Sequence, residues 1–155
     1  MDTNLPRPRW RFTGVYRFTP RFQGGVEWNP GAREAGLIGN WILNPESEKY
    51  PMINLGTSSD RIGTPAGPHA YYVTFAKGFP DLKIGPYVSI NYSEFDRRLN
   101  FPFGVNYQFA PGITGLFMND GRKSHLLLTY GKENWSVTAM WIWFKHPGIS
   151  FSIGF

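Results

Sequence analysis

Residues 99–109, LNFPFGVNYQF, put Leu99, Phe101, Phe103, Val105, Tyr107 and Phe109 at every odd position. Asn100, Pro102, Gly104, Asn106 and Gln108 fill the even ones. A two-residue period sends successive side chains to opposite faces of a strand, so one face meets an apolar medium and the other a polar one. The pattern recurs along the chain. RWRFTGVYRF (9–18) sets Trp10, Phe12, Gly14, Tyr16 and Phe18 against Arg9, Arg11, Thr13, Val15 and Arg17. RFQGGVEWN (21–29) sets Phe22, Gly24, Val26 and Trp28 against Arg21, Gln23, Gly25, Glu27 and Asn29, and ISFSIGF (149–155) sets Ile149, Phe151, Ile153 and Phe155 against Ser150, Ser152 and Gly154.

Between the alternating runs lie short turn signals: Thr19-Pro20, Pro30-Gly31, Ala110-Pro111-Gly112, Asn119-Asp120-Gly121 and Glu133-Asn134. The pattern predicts about ten or eleven antiparallel strands, with further runs at 36–44, 52–57, 69–78, 84–95, 113–119, 124–132 and 135–145. HPG (146–148) is the expected turn before the last strand, and 58–69 the longest irregular stretch. No helical period competes. The domain organisation expected is an N-terminal extension over 1–8 and one all-β domain over 9–155.

Two media could lie against the apolar face: the core of a soluble protein, or lipid. Soluble sheets carry Lys, Glu, Thr and Arg outward and mix Val, Leu and Ile inward. Here the polar face is rich in Gly, Ser and Asn, as at Ser89, Asn91, Gly104, Asn106, Ser136, Thr138, Ser150 and Ser152. That face suits a narrow hydrated lumen. The apolar face gathers aromatics towards strand ends: Trp10, Phe18, Trp28, Tyr92, Phe101, Phe103, Tyr107, Phe109, Tyr130, Trp135, Trp141 and Trp143. Such placement is an interfacial girdle, and strands of the required length would span the hydrocarbon. Only a closed barrel satisfies every backbone group in lipid. The fold class expected is therefore an all-β, antiparallel up-and-down transmembrane β-barrel of about 10–12 strands.

The composition agrees. Phe, Tyr and Trp make up 17% of the 155 residues, and Gly numbers 18. The absence of cysteine removes disulfides and thiolate metal sites from consideration. A net charge of +5 arises from Arg scattered through strands rather than from runs, which argues against nucleic acid as a partner. There is no apolar run long enough for a membrane helix. MDTNLPRPRWRF also lacks the apolar segment of a signal peptide, so either the protein is not secreted or the chain is a mature or engineered form with Met1 added, and the barrel pattern favours the second.

ISFSIGF, with its C-terminal Phe155, resembles the last strand of bacterial outer-membrane β-barrels. In that class Phe151, Ile153 and Phe155 would form the signal read by the barrel-insertion machinery. YRFTPRFQGGVEWNP (16–30) resembles their hairpins around tight periplasmic turns. GTSSDRIGTPAG and HPGISFSIGF are similar, more loosely, to barrels linked to exopolysaccharide export. The resemblance implies a bacterial outer-membrane location, with lipid and lipopolysaccharide as surroundings. It implies a non-enzymatic role as narrow pore, anchor or subunit of an envelope assembly. One feature does not fit: bacterial single-chain barrels have even strand counts. Eleven strands would mean a split strand (36–57 being the suspect), a fragment, or a barrel completed by a partner or second copy.

Candidate chemistry is sparse. Arg9, Arg11, Arg17 and Arg21 share the polar face of the first hairpin with Glu27 and, further on, Lys77. A cationic wall would favour anions or acidic polysaccharide; an internal Arg–Glu network is the alternative. His125 would point into the lumen near one rim, with Asp120 as a possible carboxylate partner. Ser124 neighbours it but points to the opposite face, so a rim lipid hydrolase would need another nucleophile. Asp60, Glu94, Asp96 and Asp120 are expected as solvated loop charge. No metal set or cofactor is expected. A soluble β-barrel holding an apolar ligand is the alternative from another class, with Phe101, Phe103, Val105 and Tyr107 lining its cavity.

Overall fold

A computed structural model of the chain describes residues 10–60 and 64–155. Arg9 and the extension over 1–8 lie outside the described residues. Twelve strands form one antiparallel sheet. In chain order they are β1 (Phe12–Arg17), β2 (Phe22–Asn29), β3 (Glu34–Asn44), β4 (Met52–Ser59), β5 (His69–Ala76), β6 (Ile84–Ser93), β7 (Arg98–Asn100), β8 (Phe103–Ala110), β9 (Ile113–Asn119), β10 (Ser124–Lys132), β11 (Trp135–Ile142) and β12 (His146–Ile153). Each pairs with the next along the chain, except that β7 and β8 both pair with β6. A single 3₁₀ turn, Pro80–Leu82, is the only helical element among the described residues.

The stretch 99–109 is broken. β7 pairs Asn91 with Asn100, and β8 pairs Val88 with Phe103, so both keep one register against β6. They are two halves of one strand, parted at Phe101-Pro102, because proline has no N–H to give to a ladder. The meander therefore has eleven positions. The suspect region 36–57 holds two genuine strands, β3 and β4.

The turn between β11 and β12 also differs from expectation. His146, Pro147 and Gly148 belong to β12 and pair with Ile142, Trp141 and Met140. Proline is tolerated there because β12 ends the sheet. The reversal is made instead by Trp143 and Phe144, both left-handed at φ 56° and 54°. That is the geometry of the hairpin turns that match strand twist, though it is uncommon for aromatics.

The expected closure into a barrel is not present. β1 and β12 are the two ends of the sheet, and no ladder joins them among the described residues. All six residues of β1 are exposed on both faces, and β12 is exposed at every position but Gly148. Alternation fixes which face is apolar, and closure depends on the partners of the two end strands.

The chain divides into two compact units, one running up to Phe75 and including Ser89–Asn100, the other comprising Ala76–Val88 and Phe101–Phe155. In the first unit neighbouring strands are knit closely: a Cβ on Gly25 of β2 would overlap the Gly14 carbonyl of β1. One on Gly56 would meet Asn40 Oδ1 and the Tyr72 ring at 2.6 Å. Both glycines permit a close approach that no side chain would allow. In the second unit, Thr129 and Thr138 share a hydrogen bond of 2.8 Å across β10 and β11, and Tyr130 packs edge-on against Trp135 at 5.6 Å.

Burial is inverted relative to a water-soluble domain. Ala70 is the one buried hydrophobic residue among those described, whereas Glu27, Asp60, Thr64, Ser89, Asn91, Ser93, Asn100, Asp120 and His125 are buried. Large hydrophobics from Trp10 to Phe155 are exposed, Trp10 at 71% and Phe151 at 65%.

Candidate functional site

The polar face of the first unit is an ordered network. Glu27 is buried, its carboxylate accepting from Ser59 Oγ at 3.0 Å and Asn29 Nδ2 at 2.9 Å, with Arg11 Nη1 at 3.4 Å. One strand further on, Asn40 Oδ1 accepts from Asn54 Nδ2 at 3.0 Å and Tyr72 Oη at 2.8 Å. The register explains the meeting: Arg17 lies opposite Gln23, Gln23 opposite Asn40, and Asn40 opposite Gly56. Asn40, Asn54 and Tyr72 were not singled out by their residue types. Their one signal was polarity at alternate positions of apolar strands.

The three described arginines of that group, Arg11, Arg17 and Arg21, separate. Arg11, half in solvent, pairs with the buried Glu27, so that part of the group is an Arg–Glu pair. Arg17 and Arg21 are exposed and flank a cavity of about 480 Å³ lined also by Gln23, Asn40, Ile42, Met52 and Asn54. They are brought to one end and one face by a tight turn. The Thr19 hydroxyl accepts the N–H groups of Arg21 at 3.2 Å and Phe22 at 2.9 Å, and Pro20 fixes the reversal. Lys77 is half-buried just after β5, its N–H bonded to the Pro86 carbonyl at 3.1 Å.

Two of the loop acids, Asp60 and Asp120, are buried rather than solvated. Asp60 is buried and accepts from Ser93 Oγ at 2.5 Å and the Phe95 N–H at 3.3 Å. This ties the end of β4 to the turn after β6, because a buried carboxylate is tolerated only when donors surround it. Glu94 is exposed and accepts from the His69 N–H at 2.8 Å and Tyr71 Oη at 2.9 Å. Those two bonds, the backbone one first, hold its carboxyl below the usual glutamate value.

In the second unit Asp120 and His125 meet, as the pairing of the candidate base and acid requires. Nε2 of His125 is 3.0 Å from Oδ2 of Asp120, and both residues are buried. Burial opposes the charge on Asp120, but the His125 bond and the N–H groups of Lys123 and Arg122 outweigh it and lower its pKa. With an ionised carboxylate at Nε2, that nitrogen carries the proton. Nδ1 is buried with no hydrogen-bond partner. Ser124 Oγ accepts from Asn119 Nδ2 at 3.1 Å and lies off the imidazole, as alternation requires. No hydroxyl reaches Nδ1, so the dyad lacks a nucleophile among the described residues. No set of three or more His, Asp or Glu able to hold a metal is found among them either.

Of the aromatic candidates, Trp10, Phe18, Trp28, Tyr92, Phe101, Phe103, Tyr107, Phe109, Tyr130 and Trp141 are exposed, and Trp135 is half-buried. Trp143 lies off the strand, in the left-handed turn, with Lys123 Nζ 4.0 Å above its ring and His146 edge-on at 5.8 Å. Phe151, Ile153 and Phe155 are exposed. No protein family, curated protein or solved structure matches this chain.

Proposed function

We propose that this protein works within a lipid bilayer as a membrane-spanning β-barrel of the bacterial outer-membrane kind, acting as a narrow pore or anchor rather than an enzyme. The observation that carries the reading is the inversion of burial: carboxylates, Asn, Ser and His inside, Phe, Trp, Tyr and Leu outside. Water-soluble monomers rarely expose large contiguous apolar surface, whereas lipid rewards it. Strands β2–β6, β8 and β10–β12 run 8–11 residues, close to the roughly 9–11 needed to cross tilted.

In lipid the free edges of β1 and β12 must find partners, because unpaired backbone groups cost several kcal/mol each there. An eleven-position meander leaves its first and last strands running the same way. Self-closure is then a parallel pairing, and a strand from a second copy or partner protein would restore an antiparallel one. The exposed Phe151, Ile153 and Phe155 are suited to recognition by insertion machinery.

The test is extraction and heat-modifiability. The chain should require detergent, incorporate into lipid vesicles, and migrate differently on a denaturing gel before and after boiling. A monomer soluble without detergent and showing no shift would overturn the reading.

A further inference from the structure

We propose that the cavity at the β1–β2 turn binds a small hydroxylated anion, a carboxylate or phosphate ester such as a sugar acid or sugar phosphate. Arg17 and Arg21 line it, and no Asp or Glu does. Neither guanidinium has an ion-pair partner among the described residues, in contrast to Arg11, which Glu27 neutralises. Two planar forks lining one space supply the donors that the paired oxygens of a carboxylate or phosphate accept from.

The amides say what else the ligand carries. Asn54 spends its Nδ2 on Asn40, and Asn40 Oδ1 is already doubly bonded. Asn54 Oδ1 is left buried and without a donor. A bare anion has nothing to give it, whereas a ligand hydroxyl would satisfy it once a turn of the Asn54 side chain brings it to the cavity surface, and an unmet buried acceptor is costly. Ile42 and Met52 supply apolar wall for a carbon skeleton. The volume, about 480 Å³, lies within the range of small-molecule sites. Because both arginines are exposed, binding is salt-sensitive.

All the lining residues belong to the first hairpin and to β3 and β4, so the site does not depend on what covers the apolar face. Its failure would leave the membrane reading standing.

The experiment is calorimetric titration of the full chain in non-ionic detergent, or in buffer if it needs none, with glucuronate, glucose 6-phosphate, glucose and inorganic phosphate. Glucuronate and glucose 6-phosphate should bind, phosphate more weakly and glucose not detectably. Arg17→Gln with Arg21→Gln should weaken binding at least about tenfold, and Arg17→Lys with Arg21→Lys should fall between. Asn54→Ala should erase the advantage of glucose 6-phosphate over phosphate. Lys145→Gln, in the β11–β12 turn and not among the lining residues, should change nothing. The unboiled gel shift or the circular dichroism spectrum reports that each variant is folded. Absence of binding by either sugar anion, equal binding by the folded double Gln variant, or equal binding of glucose and glucuronate would each overturn the proposal.

Discussion

Glu27 shows what a single buried charge does in this molecule. Its carboxylate collects Ser59, Asn29 and Arg11 from three places in the chain. Glu27→Ala should strand those donors and lower stability by about 1–3 kcal/mol, since Arg11 is half in solvent and its share is screened. Denaturant titration measures the loss. The two depressed carboxyls give a pH signature. Both Glu94 and Asp120 titrate below their ordinary values of 4.5 and 3.8. Their stabilisation is complete above those values and disappears as pH falls through the lower folded ones. The N–H groups of His69 and Lys123 should stay protected from hydrogen exchange above these ordinary values and lose protection only as pH falls through the lower folded ones. Protection unchanged at pH 2 would show that the carboxylates do not hold these turns.

Elements here owe their placing to close backbone approach as much as to alternation. Gly25 lets β1 lie against β2 where any Cβ would overlap Gly14. Gly25→Val should detach β1, so that limited proteolysis cuts near the Thr19-Pro20 turn while β8–β12 remain protected. Strand identity was legible in the period-two runs, the turn at Gly112 followed from residue type, and the turn at Glu133-Asn134 from its place between two runs. The break at Pro102 and the Trp143-Phe144 turn were less so. In the first, an alternating run continued across a proline that the ladder could not use. In the second, two aromatics took left-handed angles that their type disfavours, with Trp143 held by Lys123 and His146.

For the whole molecule the decisive question is which medium meets the apolar face. Leu128 sits mid-strand on β10, half-exposed among Leu126, Tyr130 and Ala139. If that face lies in lipid, Leu128→Arg should cost roughly 2–4 kcal/mol of folding stability in vesicles. In water the same change would be nearly neutral. Folding titrations of the wild type and the variant into vesicles separate the two. The candidate site was partly legible on this scale: the Arg-rich face of the first hairpin was visible as spacing, but not its division into a neutralised Arg11 and an Arg17 and Arg21 with no ion-pair partner among the described residues.

The sequence by itself determined the class of structure and the character of its two faces, because both follow from a two-residue period that needs no distant partner. It also paired His125 with Asp120, five residues apart across one turn. Tertiary structure decided the rest. Burying Asp60 depended on Ser93, and orienting Asn40 depended on Tyr72, contacts 33 and 32 residues apart. The outcome at the sheet ends likewise belonged to β1 and β12, since a strand's pattern specifies its faces while its edges wait on whichever backbone comes alongside.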